Sequence, residues 1–313
     1  MGRRRKKGRA ISGWIVLDKN YDVGSTECVS KVRWLFDAKK CGHAGTLDPL
    51  ATGILPVALG EATKTVPFVM EARKTYRFTA KWGQSTRTDD IEGDVIATSD
   101  VRPDKSQILA CLDQFTGDIE QVPPQFTAVK INGERAYDIA RGGDEVEIAP
   151  RTISIYSLTL IDQPSIDEAV FEAETGKGTY VRALVRDMAK ALGTEGHITQ
   201  LRRTAVGPFH EDDAVTIDEI ENTPPGEARD EFLAGLDLAL RDLPSIGLDG
   251  PQTSRLRHGQ PALLSPAQAK GLRGDSVGAI ESVLAVCHDD PVAICSLDGL
   301  KLQPSRLFMP DDG

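Results

Sequence analysis

Residues 42–64 read GHAGTLDPLATGILPVALGEATK, a run that combines two kinds of local structure. Glycine, proline, threonine and aspartate crowd its first half, which predicts a loop of irregular backbone over residues 39–53. The apolar run ILPVAL that follows predicts a buried strand. Asp48 stands in the loop before a proline, so it either caps the turn that follows or is placed there for chemistry.

The flanking sequence predicts alternating strands and helices. Before the loop, the run WIVL predicts a strand from Gly13, and Ser25 is expected to cap a helix that extends to about residue 38. After the loop, residues 73–82 alternate as a strand, with Tyr76 on the same face as two apolar residues. Periodicity then predicts helices over 104–115 and 179–192 and strands over 151–162, over 168–174 and up to about residue 209.

Three segments differ from the main domain, which is expected to span residues 11–249. The basic run at the start predicts a disordered arm over residues 1–10. Residues 122–150 begin with a proline pair and contain a Gly-Gly pair, which predicts a mobile insertion that could clamp a partner. Frequent glycines and short apolar runs predict a small β-rich domain over residues 250–313.

The charge of the chain is unevenly distributed. The 37 Lys and Arg against 47 Asp and Glu give a net charge of −10, which by itself argues against a nucleic-acid partner. Residues 1–40, however, carry 11 basic and 4 acidic side chains, whereas residues 211–249 carry 2 basic and 12 acidic ones. The acidic segment alone equals the net charge, so the total does not decide the partner.

Several classes of protein can be excluded. No apolar run approaches the roughly 18 residues of a membrane span, and no small-residue cleavage site follows the basic start. The five cysteines form no CxxC pair, which favours reduced thiols in a cytoplasm. The chain also lacks a complete phosphate loop, clustered Cys and His at zinc spacing, and a GxSxG elbow. We therefore expect no metal and no acyl transfer.

A carboxylate that works alone as a nucleophile is the remaining chemistry. Burial disfavours the charged form of an aspartate, so such a group needs a cation beside it. Arg182, early in the helix predicted over 179–192, suits that task, and free N–H groups at the helix start add positive potential. It could equally be a surface arginine paired with an acid one turn away.

Other side chains have two readings each. Tyr76 and Tyr180 could stack on a nucleobase or belong to the core. His43 could be a general base, a ligand or a wedge, although a lone histidine is more often none of these. Either phosphate contacts or solvated charge would explain a set of basic residues: Lys19, Lys39, Lys40, Lys177, Arg202 and Arg203.

Four runs together resemble one family. GHAGTLDPLATGILPVALGEATK, KTYRF, KGTYVRALVRDM and LRRTAVGPF have the order and spacing of the bacterial tRNA pseudouridine-55 synthases of the TruB type, over about residues 11–210. The insertion resembles that family's RNA-gripping segment, with Thr127 where a serine is commoner. Residues 250–313 resemble its PUA-like C-terminal domain more loosely.

The resemblance implies an α+β pseudouridine synthase fold, with a mixed, largely antiparallel central sheet flanked by helices. It also implies an isomerase that acts on the uridine at position 55 in the T loop of tRNA, with no cofactor or metal. Asp48 matches the essential carboxylate, which attacks either C1′ or C6, and Arg182 matches the arginine paired with it. Tyr76 matches the residue that stacks on the flipped base and takes the proton from C5.

The resemblance implies substrate contacts as well. Tyr180 and Leu201 match further walls of the base pocket, and His43 matches the histidine that contacts the RNA where the base is flipped out. Lys19 matches the lysine of the family motif DKPxGxTS and is expected to bind substrate. Asn20 and Asp22 replace the proline and first glycine of that motif, so a looser loop and added negative charge are expected there.

The sequence thus predicts a cytoplasmic, monomeric enzyme whose partner is the T stem-loop of tRNA. We expect residues 211–249 to lie away from the bound RNA. Two alternatives belong to other classes: a tRNA-binding module without activity, and a glycoside hydrolase. The hydrolase would need a second acid across the bond, and the matched motifs supply one carboxylate.

Overall fold

A computed structural model describes residues 8–127, 130–131, 134–135, 148–274, 276 and 278–309. Two segments predicted from the sequence therefore lie mostly outside the described residues: the basic arm over 1–10 and the insertion over 122–150. No helix among the described residues is long and apolar enough to cross a membrane.

Strands form most of the regular structure. In chain order they are β1 Gly13–Lys19, β2 Cys41–His43, β3 Thr52–Leu59, β4 Lys74–Trp82, β5 Gln84–Thr86, β6 Val95–Thr98, β7 Gly117–Gln121, β8 Lys130–Ile131, β9 Glu134–Arg135, β10 Arg151–Asp162, β11 Glu168–Thr175, β12 Gly196–Val206, β13 Phe209–His210, β14 Ser245–Gly247, β15 Ala262–Leu263, β16 Ile280–Cys287, β17 Asp290–Asp298 and β18 Lys301–Leu307.

The helices are shorter and lie mainly beside the sheets. They are α1 Ser25–Leu35, α2 Val66–Glu71, α3 Lys105–Cys111, α4 Val181–Ala191, α5 Ile217–Asn222, α6 Glu227–Asp230, α7 Gly250–Arg257 and α8 Pro266–Arg273. Short 3-10 turns cover Gly60–Lys64, Leu112–Phe115, Glu211–Asp213 and Leu238–Leu240.

The large sheet has the order β1-β3-β12-β4-β11-β10-β7, with β2 paired to β3 and β13 paired to β12. Every pairing in it is antiparallel except that of β12 with β3. This confirms the predicted mixed, largely antiparallel central sheet. The parallel pairing matters for function, because it brings the end of β12 beside the start of β3, directly after the loop that carries Asp48.

Two apolar clusters cover this sheet and meet near its middle. One packs α4 against β4, β10, β11 and β12, and the other packs α1 against β1 and β3. Tyr76 on β4 and Leu201 on β12 are partly buried and pack against both clusters. The seam between the clusters is therefore where the sheet offers apolar side chains that are not fully buried.

The C-terminal residues form a second sheet with the order β14-β16-β17-β18-β15 and a core of its own. The expected short strands are present, but α7 and α8 were not predicted. Each helix begins with a capping box, at Asp249 and at Ser265. That signal could have been found in the sequence, where each cap precedes a glutamine by three residues. A small apolar cluster around Leu240 and Phe308 joins this sheet to Phe68 beside the large one.

The helix that begins at Ser25 differs from its prediction at both ends. The N-cap is Gly24, which has no side chain to cap with, and α1 ends at Leu35 rather than near residue 38. Ser25 is buried at the first helical position, and its hydroxyl is used elsewhere. The helix predicted over 104–115 is α3 followed by a 3-10 turn, with Asp104 as its cap.

Candidate active site

Asp48 lies in a loop whose backbone is held by side chains from outside it. The buried Ser25 hydroxyl donates to the Leu47 carbonyl at 2.8 Å and accepts from the Leu47 N–H at 2.9 Å. The Lys19 ammonium donates to the Pro49 carbonyl at 2.9 Å. The residues on both sides of Asp48 are therefore fixed to α1 and to the end of β1.

Arg203 holds the start of the same loop from β12. Its side chain is buried, and its guanidinium donates to the carbonyls of Gly45 at 3.0 Å and of Ile54 at 2.7 Å. Gly53 lets the two strands approach, because a Cβ there would lie 2.2 Å from the Arg203 carbonyl oxygen. A larger residue at position 53 would push β3 and its loop away from β12.

The carboxylate of Asp48 forms an ion pair with Arg182. The distance from Nε of Arg182 to Oδ2 of Asp48 is 3.0 Å. The arginine side chain is 7% exposed, whereas that of the aspartate is 47% exposed. The cation that a lone carboxylate needs is therefore present, and the carboxylate itself faces solvent.

The remaining donors of Arg182 bind the protein. Nη1 donates to the Thr88 carbonyl at 3.0 Å and to Oδ2 of Asp90 at 3.3 Å, and Nη2 donates to the Phe126 carbonyl at 3.0 Å. These partners come from far along the chain rather than from one turn away on α4. With so many fixed donors, the guanidinium has one orientation, and it presents Nε to Asp48.

Asp90 is a member of the site that the sequence did not indicate. Its side chain is 9% exposed and accepts from the Thr88 hydroxyl and from the Glu92 N–H as well as from Arg182. One turn along α4, Arg186 pairs with Asp89 at 3.0 Å. Burial raises the pKa of Asp89, and the positive charge of Arg186 opposes that shift.

A small cleft opens beside Asp48 and Arg182. Its other lining residues come from the Asp48 loop, from the loop after β5 and from β12: Leu50, Ala51, Asp90, Ile91, Ile198, Thr199, Gln200 and Leu201. A β-bulge at Thr199 interrupts the pairing of β12 with β4 at this point. Leu201 lines the cleft, and both it and Tyr76 pack against the two core clusters at their seam.

Tyr180 and His43 come from two different elements, α4 and β2. Tyr180 is the N-cap of α4, two residues before Arg182, and its phenolic oxygen accepts a hydrogen bond from Thr127. His43 is in β2, and its buried Nδ1 has no hydrogen-bond partner in the described structure. Burial, and then the charge of Arg203, lower the pKa of His43, so its imidazole is uncharged at neutral pH.

Three of the basic residues bind other groups of the protein. Lys19 is 1% exposed, and its ammonium donates to three carbonyls, those of Asn20, Val23 and Pro49. Arg203 is equally buried. Arg202 pairs with Asp18 and with Glu211. A basic run in the sequence cannot distinguish a cation that holds backbone carbonyls from one that faces solvent.

The described residues contain no group of three or more His, Cys, Asp and Glu side chains that could hold a metal. Cys41 is the cysteine nearest in sequence to the Asp48 loop. Burial raises the pKa of its thiol to about 12, so the thiol does not offer a second nucleophile at neutral pH.

Comparison with known proteins shows the family of the chain. Residues 33–181 match the TruB family pseudouridylate synthase N-terminal domain, and residues 182–241 match the tRNA pseudouridylate synthase B C-terminal domain. The tRNA pseudouridine synthase B of Caulobacter vibrioides is 50% identical over 97% of this chain and 98% of its own length. That of Rhizobium meliloti is 54% identical, again over 97% and 98%.

A solved structure, "Crystal Structure of a Cbf5-Nop10-Gar1 Complex", is 25% identical with a TM-score of 0.72, over 96% of this chain and 86% of that one. A second, the archaeal box H/ACA sRNP Nop10-Cbf5 complex, has the same fold at a TM-score of 0.69 and 23% identity, over 96% and 87% of the two chains. By its sequence and its fold, the chain belongs to the TruB family of pseudouridylate synthases, which are isomerases.

Proposed function

We propose that the protein converts the uridine at position 55 in the T loop of tRNA to pseudouridine, with Asp48 as nucleophile and the target base flipped out. The ion pair of Asp48 with Arg182 carries this proposal. It puts a half-exposed carboxylate beside a buried, fully oriented guanidinium at the edge of a cleft. The names of the related proteins support tRNA as the substrate.

The reaction needs no other reactant. The bond from N1 to C1′ breaks, the uracil rotates, a bond from C5 to C1′ forms, C5 loses its proton and N1 takes one up, and the bond from Asp48 to the substrate breaks again, so the product is an isomer of the substrate. Asp48 supplies the nucleophile, at C1′ or at C6, and Arg182 orients it. Tyr76, at the seam beside Leu201, stacks on the base and takes the C5 proton.

The base must leave the stacked loop before a carboxylate can reach it. Leu201 and Tyr180 would then wall the extruded uracil, and His43 would contact the RNA where the base has left. An uncharged imidazole suits that contact, because it packs against bases without a desolvation penalty for a charge. Lys19 acts indirectly in this scheme, by holding the carbonyl that follows Asp48.

We further propose that the protein is a cytoplasmic monomer that acts without a cofactor. Its catalytic unit covers residues 11–249, with 122–150 as the segment that grips the T stem-loop, and residues 250–313 form a PUA-like unit. The strand β14, at Ser245–Gly247, is part of the C-terminal sheet, so that sheet takes its first strand from just before residue 250.

A glycoside hydrolase, unlike the proposed isomerase, would need two carboxylates. Asp90 is a second carboxylate near Asp48. Its oxygens, however, are buried and accept from Thr88, Glu92 and Arg182. A carboxylate saturated in this way cannot deliver a proton to a leaving group.

Mapping pseudouridine in tRNA from cells with and without this gene tests the proposal. We expect pseudouridine at position 55 with the gene and uridine there without it. Restoring the gene should restore the modification, and a restored gene that encodes Asp48→Asn should not. Unchanged modification in cells that lack the gene would overturn the proposed substrate position.

A further inference from the structure

One buried side chain at the end of β7 forms two hydrogen bonds with the start of α4. Gln121 is 1% exposed, and its amide Nε2 donates to the Tyr180 carbonyl at 3.1 Å. Its Oε1 accepts from the Tyr180 N–H at 2.9 Å. Since Tyr180 is the N-cap of α4, this pair of hydrogen bonds fixes where the helix begins.

Thr127 forms a hydrogen bond with the side chain of the same tyrosine. It is 4% exposed, and its hydroxyl donates to the phenolic oxygen of Tyr180 at 2.5 Å. A phenol that accepts one hydrogen bond still has its own proton to donate. The contact thus fixes the ring of Tyr180 and leaves its O–H proton for another partner.

Two arginines of α4 bind the segment between these residues. Nη2 of Arg182 donates to the Phe126 carbonyl at 3.0 Å, and Nη2 of Arg186 donates to the Val122 carbonyl at 2.7 Å. Residues 121–127 therefore contact α4 at its N-cap, in its first turn and one turn later. Arg182 is the residue that also holds Asp48.

We propose that Gln121 and Thr127 are positioning residues for the reaction, which hold Tyr180 and Arg182 in place around Asp48. The inference rests on the proposed function, because it takes Tyr180 as a wall of the base pocket. Neither residue needs to touch the substrate. Their effect should appear in the rate of the chemical step, with binding of the RNA left largely intact.

A double-mutant cycle tests this with the full-length protein and a T stem-loop RNA. The variants are Thr127→Val, which keeps the shape and removes the hydroxyl, Thr127→Ser, which restores it, Tyr180→Phe, and Thr127→Val combined with Tyr180→Phe. Thr152→Val is the matched control, since it removes an exposed hydroxyl that bonds Glu120 on the edge strand β7. Values of kcat, KM and Tm are measured for each.

We expect Thr127→Val to lower kcat by about fivefold to tenfold, the effect of one hydrogen bond, with KM and Tm close to those of the unmodified protein. Thr127→Ser should recover most of the rate, and Thr152→Val should not change it. In the Tyr180→Phe background, Thr127→Val should not lower kcat further, because the phenolic oxygen that Thr127 binds is already absent.

Other results would overturn the inference. They are a normal kcat for Thr127→Val, a loss of kcat in the double variant equal to the product of the two single losses, or a fall in Tm that accounts for the lost rate. An unmodified protein that forms no pseudouridine in this RNA would instead overturn the proposed function. Activity in the unmodified protein together with normal kcat in Thr127→Val would leave the function standing and remove the positioning role.

Discussion

The backbone N–H of Asp22 donates a hydrogen bond of 3.0 Å to the carbonyl of Pro49, the residue after Asp48. Asp22 has a φ of +59°, in the left-handed region that favours glycine. The same carbonyl accepts from the Lys19 ammonium. The departure from the family motif at position 22 therefore lies in direct contact with the candidate catalytic loop.

Replacing this aspartate separates backbone strain from charge. Asp22→Gly should stabilise the protein by up to about 1 kcal/mol, because glycine adopts a positive φ at no steric cost. Asp22→Asn tolerates the same φ and removes only the charge, so it should leave stability nearly unchanged. Chemical unfolding measures both. A Gly variant less stable than the Asn variant would contradict the assignment of strain.

The same pair of variants should act alike on RNA binding. Each removes a negative charge near the loop, so each should bind tRNA more tightly at low salt, with the gain fading as salt rises. Fluorescence titration across a salt series would measure it. Equal affinity of both variants and the unmodified protein at low salt would mean that Asp22 lies away from the RNA.

The hydroxyl of Ser25 should support activity through Leu47. Ser25→Ala leaves the N–H and carbonyl of Leu47 without that partner, so unfolding should become easier by about 1–3 kcal/mol. A loosened Asp48 should lower kcat roughly tenfold. Ser30→Ala on the same helix removes an exposed hydroxyl that bonds the Thr26 carbonyl, and it should change neither value. Equal effects of the two variants would contradict the positioning of the loop by Ser25.

Arg202 and Lys40 should differ in their effect on the salt dependence of binding. Arg202 is paired with Asp18 and Glu211, so Arg202→Gln should leave the slope of log affinity against log salt unchanged. Lys40 is 48% exposed and meets Glu61 only at 3.6 Å. Lys40→Gln should reduce the slope by about one if that lysine meets a phosphate. A reduced slope for Arg202→Gln together with an unchanged slope for Lys40→Gln would contradict these two assignments.

His43 should make stability depend on pH below neutrality. Its pKa in the folded protein is below the usual 6.5, so between the two values the unfolded chain binds more protons than the folded one. Stability should therefore fall as the pH drops below about 6.5. In His43→Gln that part of the fall should disappear, while His258→Gln, at an exposed position, should keep it. Parallel curves for His43→Gln and the unmodified protein would contradict the lowered pKa of this partly buried imidazole.

The fold could largely be predicted from local pattern. Alternation over residues 73–82 and the apolar stripe after residue 179 correspond to β4 and α4, because one face of each is buried. The prediction for residues 250–313 rested on frequent glycines and short apolar runs, which do not indicate the two helices that the capping boxes at Asp249 and Ser265 begin. The end of α1 was placed too far along the chain, since the turn after Leu35 keeps apolar residues at helical spacing.

The site was predicted only in part, and the gaps have a common cause. The resemblance implied the pairing of Asp48 with Arg182, whereas the residues by themselves left a turn cap and a surface arginine as alternatives. Asp90 was not predicted, because it is 92 residues from Arg182 in sequence and no local pattern encodes that contact. The sequence predicts Ser25 as a helix cap, because a serine before a helix usually is one. Its bond to Leu47 is set by the tertiary fold.

Tritium release from C5-labelled uridine in a T stem-loop measures whether Asp48 is the nucleophile. Asp48→Asn is compared with Asp212→Asn, a control at an exposed acid of the segment 211–249. If Asp48 is the nucleophile, Asp48→Asn releases no tritium while it binds the RNA within a few-fold of the unmodified protein, and Asp212→Asn releases it at the normal rate. Sustained release by Asp48→Asn would contradict the account.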